Sequence, residues 1–364
     1  STGATARLCE QAFGVTVATE FATACREATG GNPFFLEALL HEVSERGLSP
    51  DSKDAAGVLE IGPAAVAEAL LLRLAERPPE ATAVVRALAV IGDGAGLVEA
   101  ARLADVSDEQ AASAADLLVA LGILKQGERL EFAHPILRES VYADIGRHQR
   151  AKAHAEAARI LAASGASEER VAAQIVQAEP AGDPERVDLL RRVAADALSR
   201  GAPAAAVAWL GRALEEPPVE SEMAAVLFEL GSAEVRVGAA EAVAHLKAAI
   251  ELTRDPTLLG TSVRLLALAL TWSGDSDGAV EAIESAIEVV ERHDRELALL
   301  LEAELAAHAQ EASLERRGPA ARRLERYADL EGATPGERLV QASLAFEQAR
   351  ASESEADAVA YLER

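Results

Sequence analysis

Hydrophobic side chains recur along most of this chain at helical spacing, and the breaks between stripes fall on proline and glycine. Ala4 to Phe13 and Thr19 to Ala28 read as helices, and Thr29-Gly30-Gly31-Asn32-Pro33 breaks the second. From Phe34 a stripe of Phe35, Leu36, Leu39, Leu40 and Val43 runs to Gly47, and a polar stretch from Ser49 to Gly62 follows. Pro63 opens a helix to Arg77 with Val66, Leu70, Leu71 and Leu74 on one side. Pro78-Pro79 punctuates before helices over Glu80 to Ile91, Leu97 to Leu103 and Ser107 to Leu121. The last has Ser107 as its N-cap and Asp108 and Glu109 in its first turn.

The period then changes. Ile123 to Phe132 alternates apolar and polar residues, which predicts two short strands turning at Gly127. Pro135 follows where a helix starts, since its missing N–H costs nothing in a first turn. Three helices followed by this hairpin predict a winged helix with a small β-wing, and they hold His134 at the strand-to-helix junction. A winged helix that reads DNA places Arg, Lys, Asn or Gln on the helix before the wing. Ser107 to Ala120 carries Asp108, Glu109 and Asp116 and no Lys or Arg, so direct nucleic-acid contact by this chain is not expected.

Helical spacing resumes over Arg147 to Gly165 and Glu168 to Ala178, and a repeat emerges. Ala206-Val207-Ala208-Trp209-Leu210 matches Ala242-Val243-Ala244-His245-Leu246 and Ala279-Val280-Glu281-Ala282-Ile283, with weaker echoes at Ala320 to Leu324 and Ala358 to Leu362. The spacings are 36, 37, 41 and 38 residues, slightly above the roughly 34 of tetratricopeptide repeats. Gly201, Gly238 and Gly274 precede the first three copies and suit the tight turn inside a helix pair. Such pairs bury their apolar faces only by stacking, which predicts a TPR-like α-solenoid with a concave binding face. Trp209, Trp272, Tyr327 and Tyr361 are the candidates to line a ligand or partner surface there; interhelix packing is the competing reading for each.

Composition agrees with helices. Half the residues are hydrophobic and only 3% aromatic, which disfavours a β-sandwich. A formal charge of −25 opposes any broad grip on phosphate backbones. Cys9 and Cys25 are the only cysteines, expected reduced and helical in a cytoplasmic protein. No apolar run of about 18 residues and no signal peptide is present, so no membrane contact is expected.

No catalytic set can be assembled. There is no Gly-x-x-x-x-Gly-Lys-Ser/Thr phosphate loop, and the lysines are Lys53, Lys125, Lys152 and Lys247 alone. Nothing matches a nucleophile elbow or a zinc-protease helix. His148 and His154, six apart, do not share a helix face, so no metal site is read.

Two strings are more specific than their parts. Thr29-Gly30-Gly31-Asn32-Pro33-Phe34-Phe35-Leu36-Glu37-Ala38-Leu39-Leu40 and Phe132-Ala133-His134-Pro135, with Arg138-Glu139 and Val141-Tyr142 behind it, resemble the large ATP-binding LuxR-type regulators, a branch of the STAND-class ATPases. The resemblance runs from about Ala4 to Ala163 and is architectural beyond. It implies a mainly α chain in three parts: the C-terminal part of an ATPase lid over 1–62, a winged helix over 63–148 and a TPR-like sensor over 149–364. It also implies that Gly31-Asn32-Pro33 lies against the adenine of a bound nucleotide and that His134 touches the β-phosphate of ADP. Without the resemblance, Gly-Gly-Asn-Pro is a turn and His134 a capping or core residue; Arg138 is read as a surface or ion-pair residue rather than a ligand.

On this reading the chain is the central, non-enzymatic segment of a regulator. It starts mid-pattern and ends inside a helix, so a phosphate-loop core upstream and a helix-turn-helix downstream are expected. ATP or ADP, any slow ATPase activity and self-association in the active state belong to that full-length parent, and no cofactor belongs to this chain alone. A small inducer or a regulatory protein on the solenoid would favour the open, ATP-bound state. The alternative is a TPR-like interaction scaffold without nucleotide switching.

Overall fold

The structure is a computed structural model that describes residues 2–31, 33–59, 61, 74, 77–216 and 218–351. Most of the helix expected over Pro63 to Arg77 lies outside these residues. The described chain is helical, and it divides into two compact units, 1–179 and 180–364.

The first unit opens with α1 (Thr2–Phe13), α2 (Thr19–Thr29) and α3 (Pro33–Glu45), each in contact with the other two. Phe21 and Cys25 of α2 are buried in their core together with Phe35, Leu36, Leu39, Leu40 and Val43, the stripe that the sequence places on one side of α3. Cys9 and Cys25 are free buried thiols, hydrogen-bonded to each other.

Next come α4 (Pro79–Ile91), α5 (Leu97–Ala104), α6 (Asp108–Ala120) and α7 (Pro135–Asp144). Helix α4 is the hub. Val84, Val85, Leu88, Ala89, Val90 and Ile91 are all buried, and α4 touches α5, α6 and α7. Ser107 caps α6 as the sequence requires: its hydroxyl accepts the Gln110 amide at 3.2 Å, and the Gln110 side chain accepts the Ser107 amide at 3.0 Å. Helices α8 (Arg147–Ala163) and α9 (Glu168–Gln177) pack on each other, and α8 also touches α4 and α5. Both therefore fall in the first unit.

The expected β-wing does not form. Among the described residues there is no strand, only the isolated bridges Ala95↔Leu130 and Leu124↔Phe132. The reason is divided pairing. Leu130 exchanges backbone bonds with the 94–95 segment, while Lys125 and Ala133 bond to Glu131 and Ile123. The Phe132 amide goes to the Asp93 carboxylate at 2.9 Å. Leu130 and Phe132 are buried on alternate positions, but Ile123 and Leu124 are buried side by side, so the segment keeps apolar burial without the continuous ladder that alternation predicted.

The second unit is a run of paired helices: α10 (Pro184–Ser199), α11 (Pro203–Glu215), α12 (Glu220–Val237), α13 (Ala242–Leu252), α14 (Pro256–Trp272), α15 (Ser276–Glu291), α16 (Arg295–Ala309), α17 (Leu314–Leu324) and α18 (Pro335–Ala351). Each packs on its sequence neighbour. The even-numbered helices from α12 onward also touch one another, α12 to α14, α14 to α16 and α16 to α18. This is the helix-pair repeat that the spacing predicted. Gly238 closes α12 at φ +71°, a conformation that costs a side chain dearly.

The repeat string maps onto the odd-numbered helices. Ala206, Ala242, Ala279 and Ala320 are all at most 2% exposed, and so are Leu210, Leu246, Ile283 and Leu324 four residues on. The alanine lets the paired helix approach closely, and the larger residue one turn later fills the space behind it. Just past α11, Glu216 is fully buried and pins the 181–182 turn. It accepts the Ala181 and Gly182 amides at 2.7 and 3.0 Å and pairs with Arg212 and Arg186 at 2.7 and 3.2 Å. Burial pushes this carboxyl up, but the amide bonds and the two arginines outweigh it and hold Glu216 below the usual carboxylate range.

Candidate functional site

The glycine turn is built from two successive left-handed residues, Gly30 at φ +60° and Gly31 at φ +76°, which only glycine adopts without strain. Thr29 locks it. Its hydroxyl donates to the Cys25 carbonyl at 2.6 Å and accepts the Gly31 amide at 3.3 Å. Helix α3 starts directly behind the turn at Pro33. Asn32 lies outside the described residues, and Pro33 is described by its backbone alone.

The wing histidine meets this helix. His134 is the N-cap of α7, its Nδ1 accepting the Ile136 amide at 3.3 Å while Pro135 occupies the first helical position. An acceptor at Nδ1 places the ring proton on Nε2 in the neutral imidazole. Phe35, four residues past Gly31, sets its ring edge-on to the imidazole, with centroids 5.7 Å apart and planes at 85°. Phe35 itself is buried, whereas His134 is only half-buried. The two strings singled out in the sequence therefore converge, and the imidazole is not sealed among aliphatic side chains.

Arg138, one turn into α7, faces inward. Its Nε donates to the Ala89 carbonyl at 3.2 Å near the C-terminus of α4, a placement that favours a cation. Behind it lies a buried polar chain that the sequence did not reveal. Tyr142 Oη meets His154 Nε2 at 2.7 Å, His154 Nδ1 meets Gln174 Oε1 at 2.7 Å, and Gln174 Nε2 donates to the Ile91 carbonyl at 3.1 Å. Since Gln174 Oε1 only accepts, the His154 proton sits on Nδ1 and Tyr142 donates to Nε2. Burial lowers the proton affinity of His154. Its ring ties α7, α8 and α9 to the end of α4. No grouping of His, Cys, Asp and Glu among the described residues could hold a metal ion.

The aromatic candidates in the second unit do not come together. Trp209 is half-buried against the core of α10 to α12, and Tyr327 packs against the apolar cluster that holds Leu299, Ala303 and Leu324, with Arg326 over its ring. Trp272 is 64% exposed at the end of α14, and Tyr361 lies outside the described residues. A cavity of about 360 Å³ opens elsewhere, between α12, α14 and α16. Phe228, Leu265 and Leu268 form its apolar wall, with Arg264, Glu304 and His308 at its polar edge. The signal available in the sequence was an arginine followed one repeat later by a glutamate. Arg264 pairs with Glu304 through Nε at 2.8 and 2.9 Å, and Arg191 pairs with Glu229 through Nε at 3.0 and 3.3 Å.

No protein-family model and no curated protein matches the chain. Among solved structures it is similar to a Signal Transduction ATPase with Numerous Domains (STAND) protein with a tetratricopeptide repeat sensor from Pyrococcus horikoshii. The match covers 100% of this chain and 59% of that one, at 16% identity and a TM-score of 0.39. The chain thus spans less than two thirds of that protein's length, and so loose a superposition fixes neither family nor function. No helix among the described residues is long and apolar enough to cross a membrane.

Proposed function

We propose that this chain is the regulatory and sensor segment of an ATP-dependent, LuxR-type transcriptional regulator of the STAND class. The glycine turn and His134 supply one flank of a nucleotide cleft that a phosphate-loop core completes. The observation that carries this reading is the edge-on contact of Phe35 with His134, because it joins the helix behind Gly31-Asn32-Pro33 to the histidine. In the closed state the turn lies against adenine and His134 donates from Nε2 to the β-phosphate of ADP, a charge-assisted bond lost when the two parts rotate. The helix pairs of the second unit sense a small inducer or a regulatory protein, and that binding free energy favours the open state. The DNA-reading step belongs to parts outside this chain. The test is ADP release from the full-length protein. His134→Ala is expected to speed it about tenfold, the loss of one hydrogen bond to a charged group, and unchanged retention removes His134 from the switch.

A second reading, an interaction scaffold without nucleotide switching, is favoured by one observation. His134 already has a structural task as the cap of α7. His134→Asn separates the two readings, because asparagine keeps a capping oxygen but does not reproduce the imidazole contact. ADP released as fast as from His134→Ala supports the switch; wild-type retention leaves His134 a helix cap alone, and a full-length protein that holds no ADP supports the scaffold.

A further inference from the structure

The cavity between α12, α14 and α16 has a polar inventory that closes almost completely on itself. The Thr261 hydroxyl, which lines it, is spent on its own helix, reaching the Thr257 and Leu258 carbonyls at 2.9 and 3.1 Å. Arg264 and Glu304 neutralise each other in a two-pronged pair. His308 has Nδ1 engaged by the Thr271 hydroxyl at 2.8 Å, which leaves Nε2 as its ring nitrogen without a bond among the described residues. The rest of the lining is Phe228, Leu265 and Leu268, all packed against the core of the array.

This inventory selects a ligand by charge. A carboxylate brought here would meet Glu304 and an ammonium would meet Arg264, each already held by the other. Either ion would lose its hydration with no free counter-charge to replace it. A neutral molecule loses little. Burial lowers the proton affinity of His308, so its ring is neutral near pH 7 and adds no charge of its own. One hydrogen-bonding group on the ligand suffices for Nε2, and an amide serves whichever ring nitrogen carries the proton, since it both donates and accepts. About 360 Å³ is within the range of small-molecule sites.

We propose that this cavity binds an uncharged, mostly apolar small molecule bearing a single amide or carbonyl group, seated on Phe228, Leu265 and Leu268 and hydrogen-bonded to His308. The proposal rests on reading the helix pairs as a sensor and names the site and the chemistry sensed. The test titrates this chain with octanamide, octanoate and octylamine by calorimetry; the three share one apolar body and differ in charge. Octanamide is expected to saturate with an affinity about tenfold or more above both ions. Leu268→Trp, which fills the cavity, and His308→Leu, which removes the polar contact, are each expected to weaken it by about tenfold. Circular dichroism reports whether each variant stays folded, and if Leu268→Trp does not, His308→Leu alone decides. Equal binding of either ion, no saturation by octanamide, or undiminished affinity in the folded variants overturns the proposal. Octanamide binding that leaves ADP retention in the full-length protein unchanged overturns the sensor reading and leaves the site standing.

Discussion

His134 caps α7 by accepting the Ile136 amide at Nδ1, 3.3 Å away. The same bond orients the ring that Phe35 meets edge-on. Removing the ring therefore has a stability cost unrelated to any nucleotide. His134→Ala should destabilise the chain by about 1 kcal/mol, the usual worth of an N-cap, and His134→Asn should restore most of that loss. Urea denaturation of both variants measures it. Equal stability of all three proteins would mean that the Ile136 amide finds another partner.

The helix pairs make a sharper demand. A Cβ at Gly231 would lie 2.6 Å from Leu246 Cγ and 2.9 Å from its Cδ2, and Leu246 is fully buried. At Gly211, also helical, a Cβ meets nothing within 4 Å. Alanine improves helix propensity by up to about 1 kcal/mol at either site, while overpacking a filled core costs roughly 1–3 kcal/mol. One substitution should thus act with opposite signs: Gly211→Ala raises the denaturation midpoint and Gly231→Ala lowers it. Shifts in the same direction would show that α12 and α13 approach less closely than described.

These contacts also explain which parts of the molecule could be read beforehand. The repeat was legible because Ala206, Ala242, Ala279 and Ala320 each sit where only a small residue fits, so packing repeats the letter. Phe35 and His134 each stood within a string that the sequence singled out, but their contact was not legible, since spacing along the chain says nothing of which rings meet. The wing misled because alternation reports burial of one side and not backbone pairing, and burial was achieved here without a ladder once Asp93 took the Phe132 amide. The cavity was missed because Phe228, Arg264, Glu304 and His308 lie on the helices that carry no shared string, and the one signal there, an arginine followed a repeat later by a glutamate, marks an ion pair rather than a hollow. Aromatic residues pointed elsewhere for a physical reason: Trp209 and Tyr327 serve the interhelix packing that large rings usually serve.

The buried chain through His154 makes stability depend on pH in a definite direction. Burial, aided by the charges of Arg138 and Arg150, outweighs the Gln174 bond and puts the folded ring below its ordinary value of 6.5. Above that value the ring is neutral folded or unfolded, and its contribution is complete. As pH falls below it the unfolded chain takes the proton first, so stability is lost progressively until the folded ring also titrates. The loss should set in as pH falls below 6.5, as earlier opening of α8 and α9, read by amide hydrogen exchange corrected for its intrinsic pH dependence. His154→Gln should start from lower stability at pH 7.5, with Tyr142 and Gln174 imperfectly paired, and should show a flatter profile below that value. An identical acid-induced opening in the variant would place the titrating group elsewhere.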